Sequence, residues 1–127
     1  MSEDGRGFEH GRVCYLQIPA IDTVRSAEFY EAVFGWRIER PYPEFEAPGL
    51  IGQWVADRAV TRDAGPLFWI AVSSVSETME RAAVNGGEII NGPVQDGPHR
   101  ILATIGDPAG NPVGIAGHII ESAGITT

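Results

Sequence analysis

The sequence predicts an α+β fold in which one structural unit is used twice. Three observations carry this reading. Short alternations of apolar and polar residues mark strands, and two stretches with apolar residues three and four apart mark helices. The two halves also resemble each other at an offset of 51 residues, with Ala32–Ile38 overlying Ala83–Ile89 and Val24 overlying Val75. Each half reads as strand, helix, then two or three strands. A unit of about fifty residues cannot easily bury both a sheet and a helix alone, whereas two packed copies can.

The elements follow in order. Arg12–Pro19 alternates as a first strand, with Cys14, Leu16 and Ile18 on one face and Val13, Tyr15 and Gln17 on the other. Asp22 or Thr23 caps a helix to Phe34, whose inward stripe is Val24, Ala27, Tyr30, Val33 and Phe34, and Gly35 stops it. Trp36–Arg40 is a second strand ended by Pro41 and Pro43, and Trp36 itself reads as packing. Tyr42–Gly49 is expected to be a loop bearing Glu44, Phe45 and Glu46. Leu50–Ala56 is a strand, and a further short strand fits before Asp63-Ala64-Gly65.

The second half starts at Pro66. Leu67–Val72 is an apolar strand, and Ser74-Val75-Ser76-Glu77 matches a capping box. Val75, Met79, Ala82 and Ala83 form the inward stripe of a helix that Gly86-Gly87 ends. Glu88–Ile90 is a strand, Asn91-Gly92-Pro93 a turn, Arg100–Ile105 a strand and Pro112–Ile119 the last strand. Between these two strands lies Asp107-Pro108-Ala109-Gly110-Asn111. Asp107 can accept backbone N–H groups there, Pro108 fixes φ, and Gly110-Asn111 can take positive φ. A structural role accounts for every residue of this turn.

Nine basic residues against seventeen acidic ones give a net charge of −8, and no basic cluster offsets it. Such a surface repels a nucleic-acid backbone, which leaves small molecules or another protein subunit as partners. The acidic opening MSEDGRGFEH predicts no signal peptide, and apolar runs broken by Gly, Pro or charge predict no membrane span. A single cysteine, Cys14, makes no internal disulfide and fits a reducing cytoplasm.

The runs IPAIDTVRSAEFYEAVFGW and VSSVSETMERAAVNGGEII, together with the ending IGDPAGNPVGIAG, resemble the vicinal oxygen chelate superfamily of glyoxalases, bleomycin resistance proteins and extradiol dioxygenases, in its small single-domain branch. The resemblance spans about Val13 to Gly117. It implies a single glyoxalase-like domain over 1–127, built of two βαβββ modules at about 12–64 and 66–120. The curved sheets of the modules would form an open cleft, often completed in a homodimer. Metal-dependent members would hold a divalent cation in that cleft on His, Glu or Gln residues.

Residue by residue, that metal set is poorly matched here. The family's first-strand histidine falls on Tyr15, or an acidic residue on Gln17, whose amide oxygen is at most a weak ligand. The histidine that often starts the second module falls on Leu67, and the last-strand glutamate falls on Gly114, seven residues after Asp107. No metal and no cofactor is expected. His10, His99 and His118 share no helix and no short ligand spacing.

The expected ligand site is instead Tyr15, Gln17, Trp54 and Trp69, with Arg100, Gly114 and His118. Aromatic walls and one amide suit a flat organic molecule. Gly114 and Ala116 either leave volume for it or allow close strand packing. Arg100 is either a solvated strand residue or, facing inward, the holder of an anionic group. His99, His118, Glu44 and Glu46 are the available acids and bases, with no pairing visible, so no catalytic residue is assigned and catalysis is left undecided. Cys14 points away from Tyr15 and Gln17 and is rejected as a nucleophile. Three functions compete: a small-molecule-binding protein without the usual metal, a metal-dependent lyase, isomerase or dioxygenase, and a dimeric interaction module. Function resides in the site, so the fold does not choose among them.

Overall fold

Residues 10, 13–41, 43–63 and 66–119 are described by the structure, a computed structural model. The first unit comprises β1 (Tyr15–Pro19), α1 (Thr23–Phe34), β2 (Arg37–Glu39), β3 (Glu44–Ala47) and β4 (Leu50–Val55). The second comprises β5 (Trp69–Ala71), α2 (Val75–Val84), β6 (Glu88–Asp96), β7 (Arg100–Gly106) and β8 (Pro112–His118). Each unit forms its own four-stranded sheet, ordered β1-β4-β3-β2 and β5-β8-β7-β6. The first strand of each unit runs parallel to its last, and the remaining pairs are antiparallel. The fold is therefore α+β, two βαβββ units with open, unclosed mixed sheets.

The helices form where caps and stripes meet. Asp22 caps α1 by accepting from the Val24 and Arg25 amides, and Gly35 ends it at φ 72°. Ser74 caps α2 by accepting from the Glu77 amide at 3.2 Å. Buried on α1 are Ser26, Ala27, Phe29, Tyr30 and Val33, so Phe29 joins the expected stripe while Val24, 62% exposed, leaves it. The caps explain that difference. Asp22 and Ser74 are 52 residues apart, not 51, so Val24 sits one position further into its helix than Val75 does in α2. One position turns a side chain by about 100°, and Val75 is fully buried.

Two strand expectations change. The stretch expected as a loop contains β3, pairing with β2 and β4. Phe45 and Ala47 are buried and Glu44 and Glu46 face outward, a period of two that the flanking prolines obscured. The turn expected at Asn91-Gly92-Pro93 is instead an irregularity within continuous β6, whose register against β7 shifts between Asn91 and Val94. Among the described residues, none of 56–63 forms the further short strand. Arg12 and Tyr42 lie outside the described residues.

The core lies between the helices and the sheets. Trp36 stacks between Tyr30 (centroids 4.8 Å apart) and Phe45 (4.6 Å), and Trp54 closes the group against Tyr30 and Phe45. Offset and tilted rings at such spacings add to the gain from burying their area. The two units are joined through the turn after β7. Asp107 accepts the amides of Ala109 and Asn111 on one carboxylate oxygen. Its other oxygen accepts the Tyr30 hydroxyl at 2.9 Å and the Asn111 amide at 2.8 Å. Asn111 also donates to the Pro19 carbonyl at 2.7 Å, tying the end of β1 to the start of β8. Gly110 takes φ 98° in this turn, a conformation open to glycine.

Replacing Tyr30 with Phe leaves the buried Asp107 carboxylate one donor short. We expect it to lower stability by about 1–3 kcal/mol in urea unfolding, and an unchanged midpoint would show that the contact between the units is dispensable. Burial raises the Asp107 carboxyl above its ordinary value, against the opposing hydrogen bonds from Asn111, Tyr30 and Ala109. The folded state therefore binds this proton more tightly than the unfolded chain does. The stability it adds is present below the unfolded value and lost as pH rises through the folded one. The stability gap between the native chain and Asp107→Asn should accordingly widen as pH falls from neutrality toward about 4. A gap that narrows over that range would reverse the assignment.

Candidate functional site

Each sheet has one face on the helices and one open face, and the period of two assigns every strand residue to one or the other. On the first sheet the open face holds Tyr15 and Gln17 from β1, Ile51 and Gln53 from β4, and Glu44 and Glu46 from β3, placed by the pairs Tyr15↔Ile51, Gln17↔Gln53, Glu44↔Gln53 and Glu46↔Ile51. The Tyr15 hydroxyl donates to Gln53 Oε1 at 2.9 Å. Partial burial, with the Glu44 carboxylate second, raises the Tyr15 phenol above its ordinary value, so it remains a neutral hydrogen-bonding group. Its lone pairs and the Gln53 amide N–H groups are then available to a bound molecule.

Trp54 is not part of this face. It is fully buried and packs on the helix side, because it lies one residue from Gln53 and alternation sends it to the opposite surface. The expectation that it lines the ligand site is corrected.

On the second sheet the open face is laid out by the pairs Trp69↔Gly114 and Ala71↔Ala116 between β5 and β8. Thr104↔Gly114, Leu102↔Ala116 and Arg100↔His118 continue it across β7. A Cβ built at Gly114 would lie 2.2 Å from the Trp69 ring. The indole therefore occupies the space that a side chain at 114 would fill. Of the two readings open for Gly114, close packing with the neighbouring strand is the observed one. Trp69 nevertheless stays 48% exposed, seated on the backbone of β8 with its outer surface uncovered.

Arg100 and His118 face each other at the far end of the same face and line a cavity of about 370 Å³ with Ala71, Ala116, Asp96 and His99. Leu67 lies apart, in a second cavity of about 330 Å³ with Arg62, Thr104 and Pro112. The expected site residues thus form two groups, Tyr15 with Gln17 on one sheet and Trp69, Gly114, Arg100 and His118 on the other. Gln53, Asp96 and His99 join them. The strand pattern marks Gln53 as facing opposite to Trp54, but only the parallel register sets it opposite Gln17 and within diagonal reach of the Tyr15 hydroxyl.

The donors a divalent cation needs are not brought together. Leu67 has no donor atom, the place of a side chain at 114 is taken by the Trp69 ring, and Tyr15, its phenol held neutral, is a poor ligand for such a cation. Among the described residues no group of three or more His, Cys, Asp or Glu side chains could hold a metal. The residues present do not fit the metal group that the resemblance implies.

Comparison with known proteins agrees with the geometry. Residues 12–115 match the family model of the Glyoxalase/Bleomycin resistance protein/Dioxygenase superfamily. A glyoxylase-like domain-containing protein of Didymella fabae is 31% identical over 105 residues, covering 71% of this chain and 80% of that protein. Among solved structures, a glyoxalase/bleomycin resistance protein/dioxygenase family enzyme from Burkholderia phytofirmans PsJN superposes with a TM-score of 0.69 at 20% identity, covering 81% of this chain and 95% of that one. The fosfomycin resistance protein FosX from Listeria monocytogenes superposes with a TM-score of 0.67 at 15% identity, over 90% and 96% of the two chains. At these identities the structural matches speak to the fold, and the family model speaks to descent. The chain belongs to the glyoxalase/bleomycin resistance protein/dioxygenase superfamily.

Proposed function

We propose that the chain binds a small, flat organic molecule, aromatic in character, on the open faces of its sheets, without the metal used by other members of its superfamily. The observation that carries this reading is Trp69, an indole seated over Gly114 and half exposed beside the small residues Ala71 and Ala116. A rigid ring with one free surface and a shallow apolar floor is suited to stacking a second ring. Tyr15 and the Gln53 amide supply directional hydrogen bonds on the other sheet.

The same open face favours self-association. Leu67, Trp69, Ile90 and Val94 are all exposed large apolar residues, and grouped exposure of this kind marks an interface. A homodimer would cover them and enclose the ligand between subunits. The net charge of −8 speaks against nucleic acid as a partner. Among the described residues no helix is long and apolar enough to cross a membrane, and the lone, partly buried Cys14 fits a reducing cytoplasm.

A calorimetric screen of bicyclic aromatic compounds should find saturable binding. Trp69→Ala should weaken it about tenfold, with little change in melting temperature because the ring is half exposed. Failure of every compound at millimolar concentration would remove the reading. Dialysis against Mn, Ni or Zn followed by elemental analysis should leave well under one metal per chain, and stoichiometric metal would restore the lyase, isomerase or dioxygenase alternative. Light scattering should give twice the monomer mass, and a monomer at working concentration would remove the enclosed-dimer part.

A further inference from the structure

We propose that the cavity at the far end of β7 and β8 is an anion-binding subsite, so that the bound molecule carries a carboxylate or phosphate at one end of its flat body. The inference rests on the binding reading above and names the chemical class of its ligand.

Three nitrogen-bearing side chains line the cavity of about 370 Å³: Arg100, His118 and His99. Arg100 and His118 are direct cross-strand partners on the open face. Asp96 sits opposite Arg100 on β6 and lines the same cavity, with its carboxylate 3.3 Å from Arg100 Nε. That pair engages one edge of the guanidinium. Among the described residues no other hydrogen bond or ion pair involves the Arg100 guanidinium, so its two Nη groups remain for an external acceptor, in the fork geometry that matches an oxyanion. Neither imidazole has a partner among the described residues, and each offers at least one N–H.

This concentration of donors runs against the rest of the chain. With a net charge of −8 the distant field repels anions, but screening confines that field to about 8 Å at physiological salt. Inside the cavity the local donors, the outer edge of the guanidinium and the imidazole N–H groups, decide. Its apolar side is Ala71 and Ala116, one side-chain repeat, about 7 Å, from the Trp69–Gly114 pair. Gly114 and His118 lie two repeats apart, about 13 Å. A bicyclic ring with one exocyclic acid spans the space left between the indole and the guanidinium.

Titration calorimetry at neutral pH with 2-naphthoate, 2-naphthyl phosphate and the uncharged 2-naphthamide tests this. In the native chain at least one of the two acids should bind about tenfold tighter than the amide, and the better of them identifies the oxyanion. Arg100→Gln, at an exposed side chain, should abolish the acid's tenfold advantage over the amide. Trp69→Ala should weaken acid and amide alike. Equal binding of acids and amide, or an acid preference that survives Arg100→Gln, would overturn the subsite while leaving the binding reading standing. Failure of all three compounds to bind would overturn both.

Discussion

Asp107 holds the two units together. Its carboxylate accepts four hydrogen bonds, two from amides of its own turn, one from the Asn111 side chain and one from Tyr30 in the other unit. A charge removed from water persists only when donors replace the water it loses. Because one donor is on α1 and Asn111 also reaches Pro19 at the end of β1, satisfying this charge and docking the units are the same event. The helices complete the junction: a Cβ at Gly87 would lie 2.7 Å from the Phe29 ring, so the chain after α2 approaches α1 as closely as a side-chain-free residue allows.

That junction fixes which face of each sheet is covered. Tyr30, Trp36, Phe45 and Trp54 all lie on the helix side of the first sheet, where their rings fill the space between helix and strands. The open faces are left with what alternation turns the other way, namely Tyr15, Gln17 and Gln53 on one sheet and Trp69, Arg100 and His118 on the other. Gly114 shows how the site diverges within a shared fold. With no side chain on β8, the neighbouring Trp69 moves into its place, and a position that could present an oxygen ligand presents an aromatic surface.

Much of this was legible in the sequence because it depends on local rules. Asp22, Ser74 and Gly35 announce their helices through capping chemistry, and the alternation of β1 and β8 assigns Tyr15, Gln17, Gly114 and His118 to faces without any tertiary information. Trp54 was misplaced for want of the same rule. Nothing in its residue type separates an aromatic wall from an aromatic core, yet counting alternation from Gln53 sends the two to opposite sides. β3 was hidden because prolines on either side of Glu44–Ala47 outweigh four residues of alternation. The contact of Tyr15 with Gln53 and the seating of Trp69 over Gly114 depend on register between strands distant in sequence, which local patterns do not encode.

The open faces differ in charge as well as shape, and this bears on how a ligand would be oriented. The first sheet presents Glu39, Glu44 and Glu46 outward, with Arg37 paired to Glu46 at 2.6 Å, so its surplus is negative. Arg37 also lies 4.0 Å from Glu39; exposed pairs of this kind add little stability, but three carboxylates against one guanidinium still set the sign of the local field. Tyr15, with its phenol kept neutral by partial burial and by Glu44, fits that surface as a hydrogen-bonding group that brings no further charge. The far end of the second sheet gathers Arg100, His99 and His118 around a single carboxylate. A molecule with one acidic end therefore meets repulsion over the first sheet and donors at the end of the second. On the proposed reading charge would set its direction and Trp69 its plane.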